Sequence, residues 1–543
     1  MKALSVLYGG QLEPEAFAPV LATGQGSDNA FSLALAAAGR FPGAEKTVFL
    51  GVQGKECAIP PGVDGVFRPS WTRKSLLEEL SRLSVGYDFI YFAWADCPLL
   101  DSALAGALAE RHMRYGAEYS YADGWPYGFA PELLGAGTAG ILAKLSEDND
   151  GPVERDTLFQ VIQKDINAFD IETEISPSDL RPYRLSLAAD SKRKLLLLSR
   201  WMETGLRAAS DAEKLIAERP EILRTLPAFF NIQVTGACPQ ACSLCPWPVY
   251  GGDVTGRKDF MPRTAFVSLI NKIEDFAGDA VIDLSLWGEL SLHPEGKELI
   301  ETVLSRPALS LVIETSGIGW KDDELKALAL AASHAPRRKN QMAPLSWIVS
   351  LDAHDPERYK QVRGQGYSEA RACAKTLLSL FPKDAYVQAV RVKDFEDDIE
   401  GFYRFWKEEA SGVPVAGGKD SLRTEGSHII IQKYDDFAGA LPKLQASDLS
   451  PVRRRPCWHI QRDMNILLDG RVPCCREDLE VLKGNGEVLG NVFTDDLSRI
   501  WEKGASLYQE HCKAGYSGNN GFPGNSSFRG VCAHCDEYYT YNF

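Results

Sequence analysis

Three cysteines, Cys238, Cys242 and Cys245, lie close together in the sequence and could bind metal through their thiolates. Their spacing is C-x3-C-x2-C, and an apolar run, 229–234, ends just before them. Three thiolates on one loop can bind three irons of a 4Fe–4S cluster and leave the fourth iron open to another ligand. Zinc is the alternative, but structural zinc sites usually have four closed protein ligands. Because the next histidine along the chain is the distant His293, the spacing favours an iron–sulfur cluster over zinc.

Short β-like runs alternate with helical segments in the middle third of the chain, which indicates a parallel α/β structure, open or barrel-like. The predicted strands are Phe230–Val234, Val281–Leu286, Leu309–Thr315, Trp347–Leu351, Tyr386–Val392 and Ile429–Gln432. In such barrels the chemistry gathers at the C-terminal ends of the strands. Cys238, Glu289, Ser316 and Asp352 each follow a predicted strand by a few residues, so we expect them to share one opening.

The first two hundred residues predict a separate α/β unit, and a segment with helical apolar spacing follows it. The predicted strands of this unit are Leu4–Tyr8, Thr47–Val52, Phe89–Ala93 and Glu118–Tyr121, and two of its helices are Asn29–Gly39 and Ser102–Tyr115. Four regions result: an α/β domain (1–190), a helical linker (191–227), a partial (β/α)6 barrel (228–445) and a small C-terminal domain (446–543).

The C-terminal domain is rich in loops and cysteines, so bound metal could stabilise it. Met464–Leu468 and Arg471–Pro473 flank an Asp-Gly pair and predict a β-hairpin. Asn519–Ser527 has no periodicity and predicts a loop.

Bulk composition limits the function classes. A chain of 543 residues is too long for one core. With 59 Lys and Arg against 74 Asp and Glu, its net charge of −15 argues against a nucleic-acid partner. Neither a signal-peptide core nor an apolar run of about 18 residues is seen, which predicts a cytoplasmic protein without a membrane partner. In a reducing compartment, clustered cysteines are more often metal sites than disulfides.

Several segments of the middle third, taken in order, resemble the radical SAM superfamily. They are NIQVTGACPQACSLCPWP (231–248), LWGE (286–289), IETSG (313–317), VSLD (349–352) and RG (363–364). The first resembles the cluster-binding loop, and the second resembles the family's "GGE" segment with Trp287 in place of the first Gly. The third resembles its "TNG" segment with Ser316 in place of Asn, and the last two resemble its "SxDG…RG" segment.

The resemblance implies a 4Fe–4S cluster held by Cys238, Cys242 and Cys245, with S-adenosylmethionine (SAM) bound at its open iron. The implied SAM-binding residues are Gly288, Glu289, Thr315, Ser316, Ser350, Asp352 and Gln388. Glu289 would accept hydrogen bonds from the SAM amino group, and Ser350 with Ser316 would position the carboxylate and ribose. Asp352 could instead cap the following helix.

The C-terminal region resembles the SPASM/twitch extension, which carries auxiliary Fe–S clusters. The matching segments are CW (457–458), DGRVPCC (469–475), LGNV (489–492), IW (500–501) and CAHC (532–535). One auxiliary 4Fe–4S cluster is implied, with the ligands Cys457, Cys475, Cys532 and Cys535. Cys474 is a one-residue alternative to Cys475, and Cys512 could be a spare ligand or a core thiol. Among SPASM proteins, the arrangement is most similar to the spiro-SPASM group.

The first region resembles sugar-nucleotide cytidylyltransferases through ADCPLLD (95–101) and RLSLAAD (184–190). In that family the Asp of the D-x-P segment, here Asp96, helps to bind Mg²⁺ and nucleotide. The family's first loop, rich in Arg, Gly and Lys, is replaced here by LYGGQLE (7–13), which offers no cation to a triphosphate. We interpret the domain as a nucleotidyltransferase-like scaffold that has lost catalysis, and Asp96 as either a metal ligand or an ordinary loop residue.

The resemblance as a whole implies a radical SAM enzyme. It would cleave SAM to methionine and a 5′-deoxyadenosyl radical, which abstracts hydrogen from an unknown peptide, sugar or nucleotide-sugar. An electron donor such as flavodoxin or ferredoxin would be a partner. Two alternatives stay open: a cytidylyltransferase-like nucleotide-sugar enzyme with regulatory Fe–S domains, and a zinc-stapled binding protein without catalysis.

Overall fold

The computed structural model describes residues 1–21, 29–54, 57–146, 151–338, 342–411, 428–446, 457–516, 530–533 and 535. The chain divides into two compact units, Met1–Thr225 and Leu226–Phe543. Both are built on sheets of mostly parallel strands with helices between them, which confirms the predicted α/β class. Within the described ranges, a membrane-spanning helix is not found.

A seven-stranded sheet forms the centre of the first unit. Its strands are β1 (Ala3–Tyr8), β2 (Ala44–Val52), β3 (Val63–Arg68), β4 (Phe89–Trp94), β5 (Tyr119–Asp123), β6 (Glu132–Gly135) and β7 (Ile171–Ile175). Their order across the sheet is β3-β2-β1-β4-β6-β5-β7, and β6 is antiparallel to both neighbours. Every residue of β1 and β4 is buried, as expected for central strands covered on both faces.

The helices of the first unit are α1 (Ala30–Ala38), α2 (Arg73–Leu83), α3 (Ser102–Tyr115), α4 (Thr138–Leu145), α5 (Thr157–Ile162), α6 (Lys192–Glu203) and α7 (Ala212–Glu218). α3 begins at Asp101, whose side chain accepts a hydrogen bond from the backbone N–H of Leu104 (2.8 Å). It ends at Gly116, which has the left-handed conformation that glycine tolerates best. The helices α6 and α7 lie within the predicted linking segment and belong to this unit.

The second unit contains an open, entirely parallel sheet of seven strands. They are β8 (Phe229–Ile232), β9 (Ala280–Asp283), β10 (Leu309–Thr315), β11 (Leu345–Ser350), β12 (Ala385–Arg391), β13 (Ile429–Lys433) and β14 (Asp463–Ile466). Their order is β13-β12-β11-β10-β9-β8-β14, so the six strands that the sequence predicts lie side by side in chain order. Parallel neighbours in chain order bring all six C-terminal ends to the same edge of the sheet.

The helices of the second unit are α8 (Trp247–Tyr250), α9 (Arg263–Ala277), α10 (Gly296–Leu304), α11 (Asp322–His334), α12 (Pro356–Val362), α13 (Tyr367–Leu380), α14 (Glu396–Ser411), α15 (Trp458–Arg462), α16 (Leu497–Lys503) and α17 (Ala505–Tyr516). Apolar side chains of this unit, such as Ile282, Leu311 and Trp347, form its buried core. Because side chains alternate along a strand, these core positions leave the intervening residues to the opposite face of the sheet.

The predicted C-terminal hairpin is wrong in its pairing. The chain does turn at Gly470 (φ +84°), whose N–H donates to the carbonyl of Leu467 (2.9 Å). However, β14 pairs with β8 in parallel, and Arg471–Pro473 (β15) pairs instead with Val488–Asn491 (β16). The reason is burial: every residue of β14 is buried, and an isolated hairpin could not cover it. The predicted loop Asn519–Ser527 lies outside the described residues.

Candidate active site

The three-cysteine loop follows β8 and is held in place by bonds from neighbouring segments. The backbone N–H of Cys238 donates to the carbonyl of Val254 (3.0 Å), and that of Ser243 donates to the carbonyl of Val362 (2.9 Å). The amide of Gln240, which is buried inside the loop, donates to the Tyr359 hydroxyl (3.0 Å) and to a backbone carbonyl. The loop is therefore anchored on both sides, although its own residues form no regular structure.

The three thiols share one partly buried environment. Burial raises the pKa of Cys238 and of Cys245 to about 12, and the charge of Cys242 raises both of these pKa values further. The pKa of Cys242 is also raised by burial, while the neighbouring Arg363 opposes the shift. The Arg363 guanidinium lies 4.0 Å from the Cys242 sulfur. Three thiols that disfavour one another's ionisation are an arrangement that a cationic metal centre relieves.

Glu289 lies beside this loop and is almost completely buried, with 3% of its surface exposed. The Thr315 hydroxyl donates to one carboxylate oxygen (2.7 Å), and the backbone N–H of Ser316 donates to the other (2.7 Å). Burial raises the pKa of Glu289, while these hydrogen bonds oppose the rise. A cationic group bound here would favour the ionised form of Glu289.

The two residues before Glu289 have backbone positions that restrict which side chains fit there. A side chain on Gly288 would place its Cβ 2.0 Å from the carbonyl oxygen of Thr235, so only glycine fits. Trp287 has φ +48°, a left-handed conformation that is strained for a bulky residue. Its ring stacks on Trp247 (centroids 6.2 Å apart, planes at 8°), and its carbonyl accepts a bond from Gln233 (2.9 Å). Trp247 is thus a packing residue.

Thr315 supports Glu289 with all of its hydrogen-bonding capacity. Its hydroxyl donates to Glu289 and accepts bonds from the Trp320 ring (2.9 Å) and the backbone N–H of Gly317 (3.0 Å). A hydroxyl has one donor and two acceptor positions, and all three are used. The nearby Ser316 hydroxyl accepts one bond, from the backbone N–H of Ile318 (3.3 Å).

Ser350 and Gln388 meet at neighbouring strand ends around a carboxylate that the sequence reading missed. Both donate to the same oxygen of Glu314, Gln388 at a distance of 2.7 Å. Glu314 is exposed, although it lies near the C-terminal end of a mostly apolar strand. The signal that could have found it is the alternation Leu-Ser-Leu-Val-Ile-Glu-Thr along β10, which puts Glu314 on the face opposite the core.

A second missed carboxylate, Asp283, ends β9. It pairs in register with Val312, two positions before Glu314 on the same strand. Burial raises the pKa of Asp283 to about 7, and the charge of Glu314 raises it further, while Arg476 lowers it. The face of the sheet that lies opposite the core therefore carries two acidic groups within electrostatic range of each other.

Asp352 does not cap the helix that follows it, since the cap of α12 is Asp355. One oxygen of Asp352 accepts a bond from the backbone N–H of Val390 (2.8 Å). The other accepts from Nε of Arg363 (2.6 Å), in a nearly buried ion pair. Asp352 thereby aims the Arg363 guanidinium at the Cys242 sulfur.

The C-terminal cysteines form a second group. Burial raises the pKa of Cys475 well above its usual value, and the charges of Glu477, Cys457 and Cys535 raise it further. Cys532 acts on Cys457 in the same way, so these four thiols lie within electrostatic range of one another. Cys474 differs, because its raised pKa reflects burial, the carboxylates Glu487 and Asp478, and Cys532. Cys512 is buried in α17.

Neither cysteine group has the geometry of a mononuclear metal site. Within the described ranges, no three His, Cys, Asp or Glu side chains are arranged to hold one metal ion. In a four-iron cluster each thiolate binds a different iron, so the sulfurs need not converge on a point. Donor sets made of thiols, three cysteines in one loop and four in the other group, fit such clusters.

The chain is similar to an uncharacterized protein of Treponema pallidum (strain Nichols). The two sequences are 35% identical over 393 residues, which make up 71% of this chain and 98% of that protein. No protein-family model matches the chain.

Two solved structures share parts of the fold. SuiB of Streptococcus suis, bound to S-adenosylmethionine, is 15% identical and has a TM-score of 0.38, over 61% of this chain and 76% of SuiB. A cytidylyltransferase from Leptospira borgpetersenii is 17% identical and has a TM-score of 0.35, over 41% of this chain and 96% of its own. These values describe partial likenesses.

Proposed function

We propose that this chain, which belongs to the same family as the uncharacterized Treponema pallidum protein, is a radical SAM enzyme. The observation that carries the proposal is the meeting of three partly buried thiols with the buried Glu289 and with Arg363 at the C-terminal ends of parallel strands. Each of these groups comes from a different strand-following segment, so the fold, and not local sequence, assembles them.

Cys238, Cys242 and Cys245 would hold the first 4Fe–4S cluster. When bound, that cluster supplies the electron that cleaves SAM reductively, which is chemistry no side chain provides. The chain's own contribution is a partly buried thiol loop held in place by its neighbours. Gln240 fixes the loop against α12, and the stacked Trp247 and Trp287 rings limit the access of water from one side.

Glu289 is the proposed partner of the SAM amino group. Its two oxygens are already fixed by Thr315 and by the Ser316 backbone, so the carboxylate is oriented before SAM arrives. Such preorganisation reduces the cost of binding. Hydrogen bonds donated by the SAM amino group would also replace the solvation that Glu289 loses on burial. We assign Thr315 a supporting role, since its hydroxyl has no remaining capacity.

Ser350, Gln388 and Ser316 are the proposed polar contacts for the SAM ribose and carboxylate. Ser350 and Gln388 are both oriented by Glu314, which holds them on adjacent strands. Arg363, aimed by Asp352, would bring a positive charge to the same region. Gly288 contributes by the close backbone approach that its missing side chain permits.

Cys457, Cys475, Cys532 and Cys535 are the proposed ligands of one auxiliary 4Fe–4S cluster. We favour Cys475 over Cys474 because Cys475 interacts with two of the other three ligands, and Cys474 instead faces Glu487. On the sequence resemblance, we propose that the second unit carries a SPASM/twitch extension most similar to that of the spiro-SPASM group. The auxiliary cluster would accept an electron from the substrate.

The proposed substrate is a peptide, a sugar or a nucleotide-sugar that loses a hydrogen atom from an unreactive carbon. Flavodoxin or ferredoxin is the proposed electron donor. The carboxylates Asp283 and Glu314 lie on the face opposite the core, where a substrate with polar groups would meet them.

The test is anaerobic reconstitution of the full chain with iron and sulfide, followed by addition of SAM and dithionite. We expect about eight irons per chain, from two four-iron clusters, and formation of 5′-deoxyadenosine. Protein that binds about two zinc ions and no iron or sulfide would contradict the proposal and support the zinc-stapled alternative.

A further inference from the structure

In open α/β sheets, ligands bind beyond the carboxyl ends of the strands, where the strand order reverses. In the first unit that position lies between β1 and β4, because β1 pairs with β2 on one side and β4 on the other. Asp96 follows β4 directly and would be the Mg²⁺ ligand that the cytidylyltransferase resemblance implies. The surroundings of Asp96 therefore decide whether this unit can hold a metal nucleotide.

Both oxygens of Asp96 are occupied by Arg155. The guanidinium donates to one oxygen through Nη1 (3.1 Å) and to the other through Nη2 (2.5 Å). The Asp96 side chain is only 2% exposed, so little room remains for a second cation. Bidentate pairing of this kind is the strongest form of a charged hydrogen bond.

The other carboxylate of the site is neutralised in the same way. Nη2 of Arg155 also donates to Asp190 (2.8 Å), and Lys194, one helical turn later, donates to the same Asp190 oxygen (2.8 Å). Burial acts to raise the pKa of Asp190, but Lys194 and Arg155 outweigh it, so its pKa lies below the usual range. Two carboxylates are thus balanced by two side-chain cations.

Aromatic rings fix the guanidinium where it lies. Arg155 lies over the Trp94 ring, 4.6 Å from its centroid, and over the Tyr127 ring at 5.2 Å. Nη1 also donates to the Tyr127 hydroxyl (3.3 Å). Trp94 in turn meets Tyr8 at the end of β1, with ring centroids 4.9 Å apart. Tyr8 and Trp94 are buried, so this part of the crevice is filled by the chain itself.

The short loop after β1 is closed in the same manner. A Cβ on Gly9 would lie 2.3 Å from the Phe49 ring, and one on Gly10 would lie 2.3 Å from the Tyr8 hydroxyl. The Gln11 amide donates to the carbonyl of Val153 (3.1 Å), two residues before Arg155. The backbone of this loop is therefore packed against side chains of its own unit where a phosphate-binding loop would face a ligand.

We propose that Arg155 takes the place of the divalent cation between Asp96 and Asp190, so that the first unit binds neither Mg²⁺ nor a metal nucleotide. A dication and a guanidinium cannot both lie between these two carboxylates, because they would repel each other in a buried space. The first unit is then a nucleotidyltransferase fold with a built-in cation and no metal-dependent catalysis. This inference is independent of the radical SAM proposal.

The test is Mn²⁺ binding by the anaerobic full chain, with and without CTP. Bound Mn²⁺ is measured as the loss of the free Mn²⁺ signal in electron paramagnetic resonance relative to a protein-free sample with the same Mn²⁺ and CTP. Wild-type protein and Asp96→Asn should bind the same number of Mn²⁺ ions, and CTP should change neither number. Arg155→Ser should gain one Mn²⁺ per chain, the double variant Arg155→Ser/Asp96→Asn should lose it again, and Arg155→Lys, which keeps a cation, should gain none.

Two results would overturn the proposal. One is wild-type protein that binds one more Mn²⁺ than Asp96→Asn does. The other is Arg155→Ser that keeps a wild-type circular dichroism spectrum and gains no Mn²⁺. If Arg155→Ser fails to fold, the comparison of wild-type protein with Asp96→Asn still decides the question.

Discussion

Both units collect charged or ionisable side chains at the ends of parallel strands, but they neutralise them differently. In the first unit, Asp96 and Asp190 are paired with Arg155 and Lys194. In the second, Asp283 and three thiols have raised pKa values because burial outweighs the effect of the nearby Arg476 and Arg363. The position of a polar group in the fold is thus a poor guide to ligand binding. What balances its charge is a better one.

The difference between the two units can be tested by removing one carboxylate charge in each. Glu289→Gln keeps the shape of the side chain but removes the charge that we assign to the SAM amino group. We expect 5′-deoxyadenosine formation at limiting SAM to fall about 10-fold to 100-fold, as for a lost charged hydrogen bond, with iron content unchanged. Asp96→Asn, the matched change in the first unit, should leave both values at the wild-type level. An equal fall in 5′-deoxyadenosine formation in both variants would show that the strand ends of the two units do not differ in this way.

Iron content tests whether Cys475 or Cys474 is a ligand of the auxiliary cluster in the second unit. Cys475→Ser should reduce the iron from about eight toward about four per chain, because it removes one of the four thiolates that we assign to the auxiliary cluster. Cys474→Ser is the matched control and should keep about eight. Colorimetric iron analysis after anaerobic reconstitution measures both. The reverse result would move the ligand to Cys474.

The pH dependence of stability should have opposite signs for the two kinds of carboxylate. The folded-state pKa of Asp283 is raised to about 7. Its contribution to folding stability is therefore present below the unfolded-state pKa and is lost as the pH rises toward 7. The free energy of unfolding of Asp283→Asn, relative to that of wild type, should therefore rise by about 1–2 kcal/mol when the pH is raised from about 5.5 to about 8.

The control for this prediction is Asp190→Asn in the first unit. The pKa of Asp190 is lowered, so its contribution to folding stability is complete at neutral pH and is lost only under acid conditions. This variant should be destabilised equally at both pH values. Apparent thermal midpoints, measured anaerobically, report both changes. A pH-independent effect of Asp283→Asn would contradict the assigned shift.

The smallest expected effect concerns the strained Trp287. Trp287→Gly and Trp287→Ala both lose the stack on Trp247, but glycine adopts φ +48° without strain. The glycine variant should be more stable than the alanine variant by about 1 kcal/mol, seen as a higher thermal midpoint. An alanine variant of equal or greater stability would show that the left-handed backbone is not a cost here.

Much of the fold could be predicted because its signals are local. The six central strands of the second unit are apolar runs between helical segments, and all six are present. β14 was assigned to the wrong partner, because a four-residue strand does not encode which distant edge it joins. Its pairing with β8 depends on burial across more than two hundred residues of chain.

The site could be predicted only where its residues follow a spacing. Cys238, Cys242 and Cys245 are recognisable in the sequence, and Glu289 follows a strand and a glycine. Glu314 was missed as a lone polar residue within an apolar strand. Arg155 was missed because its partner Asp96 is 59 residues away, and no spacing marks such a pair.

The most direct measurement of the central claim compares 5′-deoxyadenosine yield in wild-type protein and Cys242→Ala after identical anaerobic reconstitution with SAM and dithionite. Cys57→Ala, which changes an isolated thiol of the first unit, is the control. We predict that Cys242→Ala abolishes 5′-deoxyadenosine and keeps about four irons per chain in the C-terminal cluster, while Cys57→Ala matches wild type. An unchanged yield in Cys242→Ala would contradict the assignment of the three-cysteine loop.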